Sequence, residues 1–125
     1  MKRIVIVDDH PGFCSHWRGF LESRYPGRAA IETYTDPLSA LRALRPDIHL
    51  LMLDLEMPLM DGRKLLEHAA ALGLDRRRVV IASGRDADDL HRLFPHGRCL
   101  AVINKEEPAQ QAAFLMILDS IMRKP

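Results

Sequence analysis

Four places in the chain carry side chains that can act together: Asp8 with Asp9, Asp54, Ser83 and Lys105. Each follows or closes a short apolar run. Asp54 ends the run over residues 48–53 and opens a segment that reaches Met57, Pro58, Asp61 and Gly62. Taken singly, an Asp at the end of a strand usually caps the turn that follows. The set is what argues for a site. Carboxylates brought together repel and raise each other's pKa unless a cation lies between them. A hard dication with oxygen ligands, most simply Mg²⁺, relieves that repulsion. Lys105 adds a compact positive charge on a flexible stem, and Ser83 a short hydroxyl donor. A carboxylate nucleophile, an ammonium, a hydroxyl and a metal are the parts that stabilise a phosphoryl group in transfer.

The elements that must position these groups follow from the hydrophobic pattern. Strands are expected over residues 4–7, 30–34, 48–53, 79–82 and 100–103. Most read as continuous apolar runs, the pattern of strands buried on both faces in a parallel sheet; residues 30–34 alternate and read as a more exposed strand. Helices are expected over residues 11–24, 37–44 and 62–71, with a short one ending near Phe94 and a last one over 108–123. Pro11, Pro37 and Pro108 suit first helical turns, and Asp36 and Asp61 suit N-caps. Pro95 and Gly97 punctuate the fourth helix. Strand–helix alternation implies an α/β fold, a doubly wound five-stranded parallel sheet with right-handed crossovers. If the strand order is 2-1-3-4-5, which rests on the family resemblance described below, the first and third strands are neighbours at the switch point, and Asp8, Asp9 and Asp54 would share one crevice.

Composition narrows the classes. At 125 residues the chain is expected to be a single domain, residues 1–125. Lys plus Arg total 18 against 17 Asp plus Glu, a formal +1, which gives no basic surface for nucleic acid. The run Arg76 to Arg78 reads as a solvated loop. Cys14 and Cys99 lack metal or redox spacing and read as reduced thiols. The absence of a signal peptide and of about 20 consecutive apolar residues argues for no membrane contact and a cytoplasmic location. None of the six histidines shows ligand spacing near the acidic crevice, so a histidine metal site is not expected. Residues 114–118 are apolar beyond one helical stripe, which leaves Met116 or Leu115 as a partner or dimer surface.

With these residues in place, the chain resembles a response regulator receiver domain of two-component signalling, over essentially its whole length. Asp8 and Asp9 match the family's acidic pair, and Asp54 its phosphoacceptor in the pattern Asp-x-x-Met-Pro-x-x-Asp-Gly. Ser83 matches its Ser/Thr and Lys105 its lysine. The resemblance implies a flavodoxin-like three-layer sandwich and phosphoryl transfer to Asp54 from a histidine kinase or histidine phosphotransfer protein. It implies Mg²⁺ held by Asp9, Asp54 and the Glu56 backbone carbonyl, with Asp8 acting through water. Lys105 and Ser83 would hold the phosphoryl oxygens. Glu56 and Arg85 occupy the family's positions at the pocket mouth, with opposite charges suited to pairing. With no effector segment in the sequence, the expected output is contact with a downstream protein or a homodimer through the last helix. Such a domain is a signalling switch that assists its own phosphorylation and dephosphorylation, not an enzyme.

Two departures bear on the switch. Val102 stands where the family has an aromatic ring three residues before the lysine. Lys105 is followed by Glu106, with proline delayed to Pro108. The family's Lys–Pro bond is typically cis; before a non-proline residue that form costs about 2.5–4 kcal/mol, so Lys105–Glu106 is expected to be trans. These departures favour the alternative of a phosphorylation-independent interaction module, and the intact acidic set weighs against it. An aspartyl phosphohydrolase ranks last, because Glu56 stands where such enzymes carry a second catalytic Asp.

Overall fold

The computed structural model describes residues 1–95 and 98–124. Gly97, expected to help end the fourth helix, lies outside the described residues, as do His96 and Pro125. The described elements are β1 (Lys2–Val7), α1 (Pro11–Arg24), β2 (Ala29–Tyr34), α2 (Pro37–Leu41), β3 (Leu50–Asp54), α3 (Gly62–Ala71), β4 (Val79–Ser83), α4 (Ala87–Leu93), β5 (Ala101–Asn104) and α5 (Pro108–Arg123). They form one five-stranded sheet of order β2-β1-β3-β4-β5, and every pairing is parallel. The expected α/β architecture, with helices on both faces, is therefore the observed one.

The apolar runs explain the layering, because successive residues of a strand point to opposite faces. Val5, Val7, Leu51, Leu53, Val79 and Ile81 pack with Leu65, Leu66, Ala69 and Leu90 beneath α2, α3 and α4. Ile4, Ile6, Leu50, Met52, Val80 and Ala82 pack with Cys14, Trp17, Leu21, Phe114 and Leu118 beneath α1 and α5. In this second core Trp17 stacks at an angle against Phe13, Phe20 and Phe114, with ring centroids 6.2, 5.6 and 5.7 Å away. β2, at one edge of the sheet, has the mixed burial that its alternation predicts.

Several boundaries differ from the sequence reading; β1 begins at Lys2, two residues earlier than expected. α2 ends at Leu41, not Leu44, although Ala43 and Leu44 are still buried. Pro46 disfavours helical backbone at Arg45, so the chain must already be turning. β3 begins at Leu50, not Ile48. His49 N donates to Arg3 O at 2.9 Å, but the Arg3 N–H goes to His49 Nδ1 at 3.0 Å, so a side chain takes the place of the second ladder bond there. β5 runs from Ala101 to Asn104, one residue later than expected, and carries Asn104 into register with Ser83. Arg76 to Arg78 form a 3-10 turn whose side chains engage Glu67, Asp75 and the Ile48 carbonyl.

Cys14 and Cys99 are free thiols, the first buried and the second half-buried. Met116 is 76% exposed, while Leu115 packs partly against the second core, so Met116 is the exposed residue of the expected pair. Among the described residues no helix is long and apolar enough to cross a membrane.

Candidate functional site

β1 and β3 are adjacent, so their carboxyl ends deliver Asp8, Asp9 and Asp54 to one crevice. β4 and β5 bring Ser83 and Lys105 to the same edge, where Lys105 N donates to the Ser83 carbonyl at 2.9 Å. Lys105 reaches back across the crevice. Its Nζ lies 2.6 Å from Asp8 Oδ2 and 3.2 Å from Asp54 Oδ1. It also stands over the Phe13 ring, 4.4 Å from the centroid, a favourable position for a cation against an aromatic face. Burial alone would lower the Lys105 pKa, but its bonds to Asp8 and the charge of Asp54 outweigh that and raise it.

Asp8 is fully buried and the Asp54 side chain is 5% exposed. Burial first, then the charge of Asp8, pushes the Asp54 carboxyl up to about 6, with Lys105 opposing both. One cation among three carboxylates leaves the crevice net negative. Two oxygens, Asp9 Oδ1 and Asp54 Oδ2, are buried and have no hydrogen-bond partner. Unsatisfied buried oxygens are costly in a folded protein unless something binds them. One donor atom from each of Asp8, Asp9, His10 and Asp54 lies within 4.8 Å of the others. Oxygen donors, excess negative charge and two open lone-pair sites fit a hard dication.

The loop from β3 to α3 is held by its own sequence. Gly62 N donates to Leu55 O at 2.9 Å, and Asp61 caps α3 by accepting from Lys64 N at 3.0 Å. A Cβ at residue 62 would sit 2.5 Å from the Asp54 carbonyl oxygen, so only glycine allows this approach. Between them, Met60 N bonds Pro58 O at 2.8 Å around Leu59, whose φ is 71°. That is a γ-turn of the rare kind, held by a leucine that is 80% exposed.

Glu56 and Arg85 pair, as their opposite charges suggested. Arg85 Nε lies 2.8 Å from Glu56 Oε1, and both side chains are largely exposed. Arg85 is also tied inward: its backbone N donates to Ser83 Oγ at 3.1 Å, and its carbonyl accepts from Asn104 Nδ2 at 2.8 Å. Asn104 in turn accepts from Glu106 N at 2.7 Å. Buried Asn104 therefore joins the loops after β4 and β5, a role sequence reasoning missed, since an Asn closing a strand carries no periodic signal. Among the described residues no peptide bond is cis, so Lys105–Glu106 is trans as expected.

One expectation is corrected. No histidine was expected at ligand spacing to the acidic crevice, yet His10 Nδ1 lies 3.1 Å from oxygens of both Asp8 and Asp9. It is aligned for a hydrogen bond to Asp8 only, which leaves Asp9 Oδ1 unpartnered. The chain folds back because His10 N donates to Asp8 Oδ1 at 2.9 Å, an Asx turn that two residues of separation permit.

Fold and crevice together define a doubly wound α/β protein with an acidic, lysine-bearing site at its switch point. The family model for the response regulator receiver domain matches residues 4–118, and the chain belongs to that family. It is 28% identical over 112 residues to a glycerol metabolism activator of Pseudomonas putida, covering 89% of this chain and 50% of that protein. The chain thus spans half the length of that relative. The BeF₃-activated receiver domain of RstA from Klebsiella pneumoniae shares the fold, with a TM-score of 0.79 at 22% identity over 98% of this chain and 100% of that one. So does the receiver domain of the histidine kinase CKI1 from Arabidopsis thaliana, solved with Mg²⁺ and BeF₃⁻. Its TM-score is 0.72 at 20% identity, over 95% of this chain and 90% of that one.

Proposed function

We propose that this chain is a phosphoacceptor switch, taking a phosphoryl group from a histidine kinase or histidine phosphotransfer protein onto Asp54. One observation carries the reading: a buried Asp54 carboxylate with an unpartnered Oδ2, beside Asp8, Asp9 and a converging Lys105. An Asp54 oxygen attacks phosphorus as the bond to the donor's imidazole nitrogen breaks, leaving an acyl phosphate on Asp54. Lys105, already 3.2 Å from Asp54 Oδ1, turns its ammonium to pair with the new phosphoryl oxygens. Ser83 Oγ accepts from Arg85 N, so its own proton is free to donate to the same oxygens. Asp9, Asp54 and the Glu56 backbone carbonyl would hold Mg²⁺, with Asp8 acting through water. When bound, Mg²⁺ neutralises charge that builds on the transferring group.

The output follows from the tie between loops. Drawing Ser83 and Lys105 inward moves Arg85 and Asn104 with them, because hydrogen bonds join all four. The altered surface is read by a downstream protein or a second copy through the last helix, near exposed Met116. Treatment with acetyl phosphate and Mg²⁺ tests the phosphoryl step. Intact mass should rise by one phosphoryl group, and Asp54→Asn should abolish the gain. No Mg²⁺-dependent gain, under conditions that label other receivers, would leave a phosphorylation-independent interaction module, the reading Val102 favours.

A further inference from the structure

We infer that His10 is a metal ligand, and that with it the crevice selects a first-row transition dication of the Mn²⁺ class over Mg²⁺. The inference rests on the acidic crevice being a metal site, the reading given above, and specifies its ligands and its ion. Its basis is the position of the imidazole. His10 Nδ1 lies 3.1 Å from Asp8 Oδ1 and 3.1 Å from Asp9 Oδ1, oxygens of two different side chains. A single N–H satisfies one of them, and the hydrogen bond goes to Asp8. Asp9 Oδ1 is left buried and unpartnered 3.1 Å from the same nitrogen; Asp54 Oδ2, on a side chain only 5% exposed, is also buried and unpartnered. An ion there would engage Asp9 Oδ1, Asp54 Oδ2 and, in the tautomer with its proton on Nε2, His10 Nδ1, with Asp8 met through water. Their span of 4.8 Å at most is close to the ~4–4.5 Å between opposite ligands of an ion bound at ~2.1 Å.

The imidazole changes which ion fits. Carboxylates and carbonyls alone suit Mg²⁺, which keeps oxygen ligands and several waters. One neutral nitrogen donor favours first-row transition dications, whose affinity for mixed N/O sites rises along the Irving–Williams series. The ring is 71% exposed, with Nδ1 against buried Asp8 and half-buried Asp9. It makes no capping bond to α1, so removing it leaves the helix terminus intact.

The test uses the intact chain and two ions. Titration calorimetry with Mn²⁺ and with Mg²⁺ gives both affinities for wild type, His10→Ala and Asp9→Asn. His10→Ala should weaken Mn²⁺ by about tenfold or more, since losing even an outer-shell partner costs that much. It should change Mg²⁺ by less than about twofold, because that ion does not seek nitrogen. Pulsed electron paramagnetic resonance of the Mn²⁺ form should show a directly bonded ¹⁴N that His10→Ala removes and Asp9→Asn does not create elsewhere. Saturable Mn²⁺ and Mg²⁺ binding that Asp9→Asn abolishes, without nitrogen coupling and with equal response to His10→Ala, overturns this inference and leaves the metal crevice standing. No saturable binding of either ion sinks both together.

Discussion

The Glu56–Arg85 pair makes the lifetime of the phosphorylated state a measurable consequence of geometry. If Asp54 takes the phosphoryl group as proposed, and the pair flanks the path of water to it, Arg85 Nε and Glu56 Oε1, 2.8 Å apart, obstruct that path. Both side chains are exposed, 45% and 59%, so the pair is weak and screened by salt. The size of the effect follows from that weakness. An exposed pair at the strong end of the usual range holds the mouth shut about five times as often as open. Removing either partner should therefore speed loss of the phosphoryl group by up to about fivefold and no more. The assay starts from protein labelled with acetyl phosphate, freed of donor, and followed by intact mass over time. Arg85→Ala and Glu56→Ala should each accelerate decay, the double variant should match the faster single one, and high salt should speed only the wild type. Unchanged single variants, multiplying effects in the double variant, or an acceleration of a hundredfold would each refute the gate. The last would mean that Arg85 acts on the chemistry itself.

Other expectations concern the scaffold. Gly62→Ala puts a Cβ 2.5 Å from the Asp54 carbonyl oxygen, so it should destabilise the fold by about 1–3 kcal/mol and slow phosphorylation; wild-type values for both would deny the close approach. Leu59→Gly relieves a positive φ while giving up little burial, so it should stabilise by up to ~1 kcal/mol in urea unfolding, and Leu59→Ala should not; equal effects would locate the gain elsewhere. His49 has its pKa lowered by burial and by the charges of Lys2 and Arg78, so the folded state binds its proton less readily than the unfolded one. Its contribution is complete above about pH 6.5 and lost as pH falls below it, and the stability gap between wild type and His49→Asn should narrow there. A gap that stays constant from pH 7.5 to 5.5 would exclude His49 as the titrating group.

The sheet and the acidic crevice were legible because both depend on short-range pattern. Apolar runs of strand length end in Asp8, Asp54, Ser83 and near Lys105, and a parallel sheet places such ends along one edge. Opposite charges at residues 56 and 85 sufficed to anticipate their pairing. What escaped depends on where a side chain turns. His10 follows the acidic pair directly, and only the Asx turn at Asp8 folds its ring back over the carboxylates. Phe13 reads as a core residue of α1, and its second face, turned to Lys105, is set by a partner 92 positions away in the chain. The early end of α2 reflects Pro46 overriding residues that favour helix.

The aromatic cluster of the second core gives the molecule an optical property. The chain has one tryptophan, and Trp17 touches Phe13, whose other neighbour is the Lys105 ammonium. All indole emission therefore arises one ring away from the charge that the proposed switch displaces. Withdrawing that cation from the Phe13 face frees the ring to shift against Trp17, and the intensity or colour of the fluorescence shifts with it. Stopped-flow mixing can then follow the crevice on its own timescale with no label attached, because α1 has placed the chromophore at the back of the site.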